Sequence, residues 1–123
     1  MKKIMVVDDE PDTLIMLKVM LKRAGFEVVT INNGRECLDK LEEVRPDLIL
    51  MDVMMFGLDG WEVCKRIKEK EKTKSIPVLM ITVRTSDVSK EKSLGYAHAD
   101  GHLEKPVNKE KLLNKVNALL KEK

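Results

Sequence analysis

Aromatic side chains are scarce in this sequence: two phenylalanines, one tyrosine and one tryptophan make up 3% of 123 residues. An aromatic in a loop therefore stands out, and the eight methionines read as core filler. Cysteine is almost as rare. Cys37 and Cys64 lack the close spacing of a metal knuckle, and each sits in a helical pattern beside apolar neighbours, which reads as two reduced, buried thiols. No run approaches the roughly 18 apolar residues that a membrane span needs, and the basic start Met1-Lys2-Lys3 precedes too short an apolar run for a signal peptide. A surplus of one charge is missing too. Lysine and arginine number 23 against 21 acids, a formal +2, which argues against a dedicated nucleic-acid binder. With 43% apolar residues the chain is not disordered, and its length fits one domain over residues 1–123. Internal repeats, linkers and glycine-rich phosphate loops are absent.

What is present is an alternation of two hydrophobic periods. Ile4-Met5-Val6-Val7 is a continuous apolar run that stops at Asp8-Asp9, the pattern of a strand buried on both faces. Pro11 suits a first helical turn, Leu14, Leu17, Leu21 and Ala24 repeat at helical spacing, and Gly25 supplies a stop. The cycle then repeats. Val28, Val29 and Ile31 predict a strand, Cys37, Leu38, Leu41 and Val44 a helix, and Leu48 to Met51 a strand ending on Asp52. Val63, Cys64 and Ile67 mark a third helix, and Val78-Leu79-Met80-Ile81 a fourth strand. A fourth helix over residues 86–95 has only Val88 and Leu94 as its apolar face; a short strand over 99–103 and a helix with Leu112, Val116, Leu119 and Leu120 close the chain. Five strands alternating with five helices imply a doubly wound parallel α/β sheet with right-handed crossovers.

In such a sheet ligands bind beyond the carboxyl ends of the strands, where this sequence places Asp8-Asp9, Asp52, Thr82 and Lys105. Taken singly, each has an ordinary alternative: a helix cap, a strand hydroxyl bonding locally, a solvated surface charge. Together they form an acidic cluster beside a hydroxyl and an ammonium. Carboxylates at one place repel unless a cation joins them, and oxygen donors without a His/Cys cluster favour Mg²⁺ over zinc. A carboxylate that accepts a phosphoryl group requires such surroundings.

In these residues the chain resembles the receiver domain of two-component response regulators. The likeness is carried by Val6-Val7-Asp8-Asp9-Glu10-Pro11, Pro46-Asp47-Leu48-Ile49-Leu50-Met51-Asp52, Leu58-Asp59-Gly60 and Lys105-Pro106, in order along essentially the whole chain. It implies a flavodoxin-like receiver fold with strand order 2-1-3-4-5. It implies further that Asp52 accepts a phosphoryl group from a sensor histidine kinase, a phosphotransfer protein or a small phosphodonor. Asp9, Asp52 and the carbonyl of Met54 would hold Mg²⁺, with Asp8 acting through water. Lys105 and Thr82 would bind phosphoryl oxygens, and the domain would catalyse its own phosphorylation and dephosphorylation. A side chain on the fifth strand, here His102, would turn inward as Thr82 moves and reshape a partner-binding face made by the fourth helix, fifth strand and fifth helix. A cytoplasmic protein without membrane or direct nucleic-acid contact is expected. With a fifth helix running to Lys123 and no helix-turn-helix in the sequence, a direct transcription factor is not expected unless the chain is an excised fragment.

The sequence departs from the family pattern at several of these places. His102 stands where tyrosine or phenylalanine is usual; it is expected either to swing inward, with protonation opposing burial so that activation weakens in acid, or to remain exposed and inert. Val83 replaces a small residue beside the phosphoryl pocket and is expected to slow phosphorylation and hydrolysis. Phe56 replaces a proline, with folding back onto the third helix as the expected position and kinase contact as the alternative. Arg84 lies where side chains affect phosphoryl lifetime. Trp61, just off the third helical stripe, is expected to be partly buried, and the basic run of residues 65–74 to be a solvated helix end. Two other readings compete: an interaction domain that works without phosphorylation, and a phosphohydrolase or flavin carrier on a similar sheet, for which no motif is present.

Overall fold

Each strand sends alternate residues to opposite sides, and the two sets of side chains account for the two halves of the core. Met5, Val7, Ile49, Met51, Val78 and Met80 pack with Cys37, Leu41, Val63, Cys64 and Ile67 on one side of the sheet. Ile4, Val6, Leu48, Leu50, Leu79 and Ile81 pack with Leu17, Leu21, Leu112 and Val116 on the other. This is the computed structural model of the chain, and it describes residues 1–82 and 92–121.

The strands are β1 (Lys3–Val7), β2 (Glu27–Ile31), β3 (Leu48–Asp52), β4 (Val78–Thr82) and β5 (Gly101–Glu104), all parallel in the order β2-β1-β3-β4-β5. The helical segments among the described residues are α1 (Pro11–Arg23), α2 (Gly34–Val44), α3 (Gly60–Glu69), a π-helical turn (Lys92–Tyr96) and a C-terminal helix (Lys109–Lys121). The expected doubly wound fold and strand order are both found. Every residue of β3 and β4 is buried, as their unbroken apolar runs require of strands covered on both faces.

Local chemistry sets the helix ends. Pro11 opens α1, and Gly25, with φ +95°, closes it as the Gly25 and Phe26 amides donate to the carbonyls of Lys22 and Leu21. Asn33 and Asp59 cap α2 and α3 by accepting from the Glu36 and Glu62 amides at 2.8 and 2.9 Å. Cys37 and Cys64 are buried free thiols, and burial pushes both up to about 12, the expected inert form.

Three expectations are corrected. β5 starts at Gly101 instead of 99, because Asp100 sits below the ladder, its amide on the Val78 carbonyl and its carboxylate on the Val78 amide. Phe56 does not fold back onto α3: it is 92% exposed. The run 65–74 is not uniformly solvated, since the Lys68 side chain is only 10% exposed. Trp61 is half-buried, as expected. Most of the expected fourth helix, with Val83 and Arg84, lies outside the described residues; Leu94, read as part of its apolar face, is 52% exposed. Among the described residues no helix is long and apolar enough to cross a membrane.

Candidate functional site

The strand ends meet along one rim. Val7 lies opposite Met51, Asp52 opposite Ile81, and Thr82 opposite Glu104. That register brings Asp8, one step beyond β1, alongside Asp52 at the end of β3, with Thr82 at the end of β4 and Lys105 one step beyond β5. Asp8 and Asp52 are 2% and 5% exposed and Thr82 is buried, whereas Asp9 and Lys105 are half-buried. Buried carboxylates need partners. Lys105 Nζ supplies one to each, lying 3.4 Å from Asp8 Oδ2 and 3.2 Å from Asp52 Oδ1.

Backbone donors aim the other carboxylates. The Glu10 amide donates to Asp8 Oδ1 at 2.9 Å, and the Phe56 amide to Asp9 Oδ2 at 3.0 Å. The second bond ties the loop after β3 to the loop after β1 and leaves the Phe56 and Met54 side chains in solvent. The Lys105 amide donates to the Thr82 carbonyl, which fixes the lysine backbone against β4 ahead of the cis Lys105-Pro106 bond. Gly60 starts α3 directly against the end of β3: a Cβ there would run into the Asp52 carbonyl oxygen and lie 2.9 Å from the Val53 Cα. In the sequence Gly60 reads as a loop residue before the third helix and as part of Leu58-Asp59-Gly60; its contact with the Asp52 backbone is legible only in three dimensions.

One carboxylate oxygen from each of Asp8, Asp9 and Asp52 lies within 4.8 Å of the others. Among the described residues three acids face one ammonium, so the site carries excess negative charge in a desolvated place. Burial raises the Asp52 pKa to about 6, the Asp8 charge adds to that effect, and Lys105 only partly opposes it. For Lys105, burial pulls downward, but Asp52 and then Asp8 outweigh it and hold the ammonium above its ordinary value. The oxygen-only donor set fits a hard divalent cation. His102, opposite Met80 in the ladder, is half-buried with its Nε2 atom enclosed by protein.

Residues 4–117 match the family described as response regulator receiver domain. The chain is a member of that family. The receiver is 38% identical over 98% of its length to the alkaline phosphatase synthesis transcriptional regulatory protein PhoP of Bacillus subtilis, covering 49% of that protein. It thus spans about half the length of the curated relatives it matches. Among solved structures it resembles chemotaxis protein CheY4 of Vibrio cholerae, with 36% identity, a TM-score of 0.91, and coverage of 97% of this chain and 98% of that one. It also resembles the response regulator TrrA of Thermotoga maritima, solved in complex with Mg(2+)-BeF, with 36% identity, a TM-score of 0.86, and coverage of 97% and 99%. Membership implies phosphoryl acceptance in two-component signalling.

Proposed function

We propose that Asp52 is the phosphoacceptor of this receiver, taking a phosphoryl group from the phosphohistidine of a sensor histidine kinase or phosphotransfer protein, or from a small phosphodonor. An Asp52 carboxylate oxygen attacks phosphorus, the bond from phosphorus to the donor breaks (P–N in phosphohistidine), and its electron pair stays on the departing group, the imidazole or the remainder of the small donor, leaving an acyl phosphate on Asp52. Attack by water at phosphorus returns the carboxylate and releases inorganic phosphate. The receiver catalyses both steps by positioning. The observation that carries this reading is a buried Asp52 carboxylate held 3.2 Å from Lys105 Nζ within a cluster of three acids.

Asp9, Asp52 and the Met54 carbonyl would hold Mg²⁺, with Asp8 acting through water; when bound, the ion neutralises oxygens of the transferred group. The Lys105 ammonium pairs with a phosphoryl oxygen in place of one carboxylate partner. The Thr82 hydroxyl donates to another oxygen, and the room it leaves admits the His102 ring. Phe56 faces the phosphodonor from the rim, and Val83 and Arg84 modulate the rates. The product is a changed partner-binding face built from the fourth helix, β5 and the C-terminal helix, presented in the cytoplasm by one domain spanning 1–123, with neither membrane nor nucleic acid as a direct partner.

Intact-protein mass spectrometry after incubation with Mg²⁺ and a small phosphodonor tests the assignment. One labile phosphoryl adduct is expected on wild type and none on Asp52→Asn. An equal adduct on Asp52→Asn overturns the acceptor assignment, and no adduct on wild type favours an interaction domain that works without phosphorylation.

A further inference from the structure

The turn that leads toward β5 is wound in an uncommon register. The Ala97 amide donates to the Lys92 carbonyl at 3.0 Å, a bond spanning five residues, and His98, the next residue, has φ +58°. Single π turns are rare, and side chains other than glycine seldom adopt that φ. Nothing within the sequence of this turn favours the wider winding over an α-helical one.

Its support comes from α3. The Lys92 ammonium lies 4.6 Å from the centre of the Trp61 ring and 5.6 Å from that of Tyr96, and the Lys65 ammonium lies 4.8 Å from the Tyr96 ring. The Tyr96 hydroxyl donates to Glu62 Oε1 at 3.0 Å, and the Cys64 thiol donates to the Ala97 carbonyl at 3.3 Å. The only tryptophan and the only tyrosine of the chain are both committed here. Ala97 is fully buried, which fixes one end of the turn, while Lys92 is exposed at the other.

We propose that Lys92–Tyr96 is a two-register element, latched in the π register by the seating of Lys92 between Trp61 and Tyr96. Released, the Ala97 amide passes from the Lys92 carbonyl to that of Ser93, and the turn tightens to α. Leu94 then rotates by on the order of 100°, one residue's worth of helical turn. Leu94 lines a groove of about 780 Å³ with His102, Leu103 and Lys111, so the register decides what that groove presents. The latch is a property of the chain before any phosphoryl chemistry, and its test does not depend on Asp52.

The acceptor of the Ala97 amide is read directly by through-hydrogen-bond NMR coupling in labelled full-length protein. Wild type is expected to show coupling to the Lys92 carbonyl. Lys92→Met is expected to lose it and to exchange the Ala97 amide about 5- to 30-fold faster, the factor that loss of two weak contacts gives. Lys92→Arg, which keeps a cation over both rings, is expected to retain both signals. Because Lys92 is exposed, its variants leave the core intact, and a thermal melt verifies that. Unchanged coupling and exchange in Lys92→Met, or coupling to Ser93 already in wild type, overturns the latch.

Discussion

The two rims of the sheet each bury most of a lysine against carboxylate, and they do so to opposite effect. At the amino-terminal rim Lys68 Nζ donates to the Ile76 carbonyl at 2.7 Å, the Lys74 carbonyl at 3.2 Å and Asp100 Oδ2 at 2.6 Å, and the same Asp100 oxygen takes the Val78 amide. Three acceptors meet an ammonium that has three protons. At the carboxyl-terminal rim Lys105 faces Asp8 and Asp52, with Asp9 close by, and the negative charge is left in excess. The first rim is saturated and closes the fold. The second is under-neutralised, and that excess of negative charge suits it to a cation.

Breaking the saturated rim is expected to have the larger effect on stability. Lys68→Met keeps the length of the side chain but leaves two carbonyls and a carboxylate without their donor. With Asp100 partly exposed, the loss is expected to be about 2–3 kcal/mol, read from the urea midpoint. Because the damage lies at the opposite end of the strands from Asp52, the phosphoryl adduct expected of wild type is expected to form on this variant too, under folding conditions. A stability loss below about 0.5 kcal/mol would show that the hub is a consequence of the fold and not one of its supports.

The under-neutralised rim responds with the opposite sign. A carboxyl whose folded pKa is raised adds no cost below its unfolded value near 3.8, where both states hold the proton. As pH rises through about 6, the folded state has to release a proton into a buried, already negative place, and stability is lost. Asp52→Asn is therefore expected to stabilise the metal-free protein at pH 7.5 by on the order of 1–2 kcal/mol and to leave it unchanged near pH 3.5. Mg²⁺ is expected to raise the melting temperature of wild type more than that of the variant. A variant less stable than wild type at pH 7.5 without metal would show that Lys105 fully compensates the acids.

The contrast between the rims also explains what could be read from the sequence. Asp8, Asp9, Asp52 and Thr82 each end or follow an apolar strand, so the periodicity that predicts the sheet also predicts the rim where they meet, whereas Lys105 follows the short, mixed strand β5. Lys68 gives no such signal. It sits among Lys65, Arg66, Lys70, Lys72 and Lys74, and its burial depends on Asp100, 32 residues away. The position of Phe56 is hidden for a similar reason: its amide is held by Asp9, a backbone bond that side-chain patterns do not report. Ala99 is apolar and buried, as a strand residue would be, yet it precedes the ladder because Asp100 turns its carboxylate toward Lys68. The π register of Lys92–Tyr96 depends on ring contacts with α3, so a linear pattern of apolar residues carries no trace of it.

Charge at a rim should matter only where it is enclosed, and the same stretch that holds Lys68 supplies the control. Lys72 lies four residues further on and pairs with Glu42 at 3.5 Å, but its side chain is 81% exposed. Water already solvates both partners, and holding two long side chains together costs rotamer freedom that offsets the attraction. Lys72→Ala is expected to change stability by less than about 0.5 kcal/mol, with the difference vanishing in 1 M salt as screening removes what attraction remains. The readout is the same urea titration used for Lys68→Met. A Lys72 effect as large as that of Lys68 would mean that long-range charge balance, not enclosure, separates the two rims.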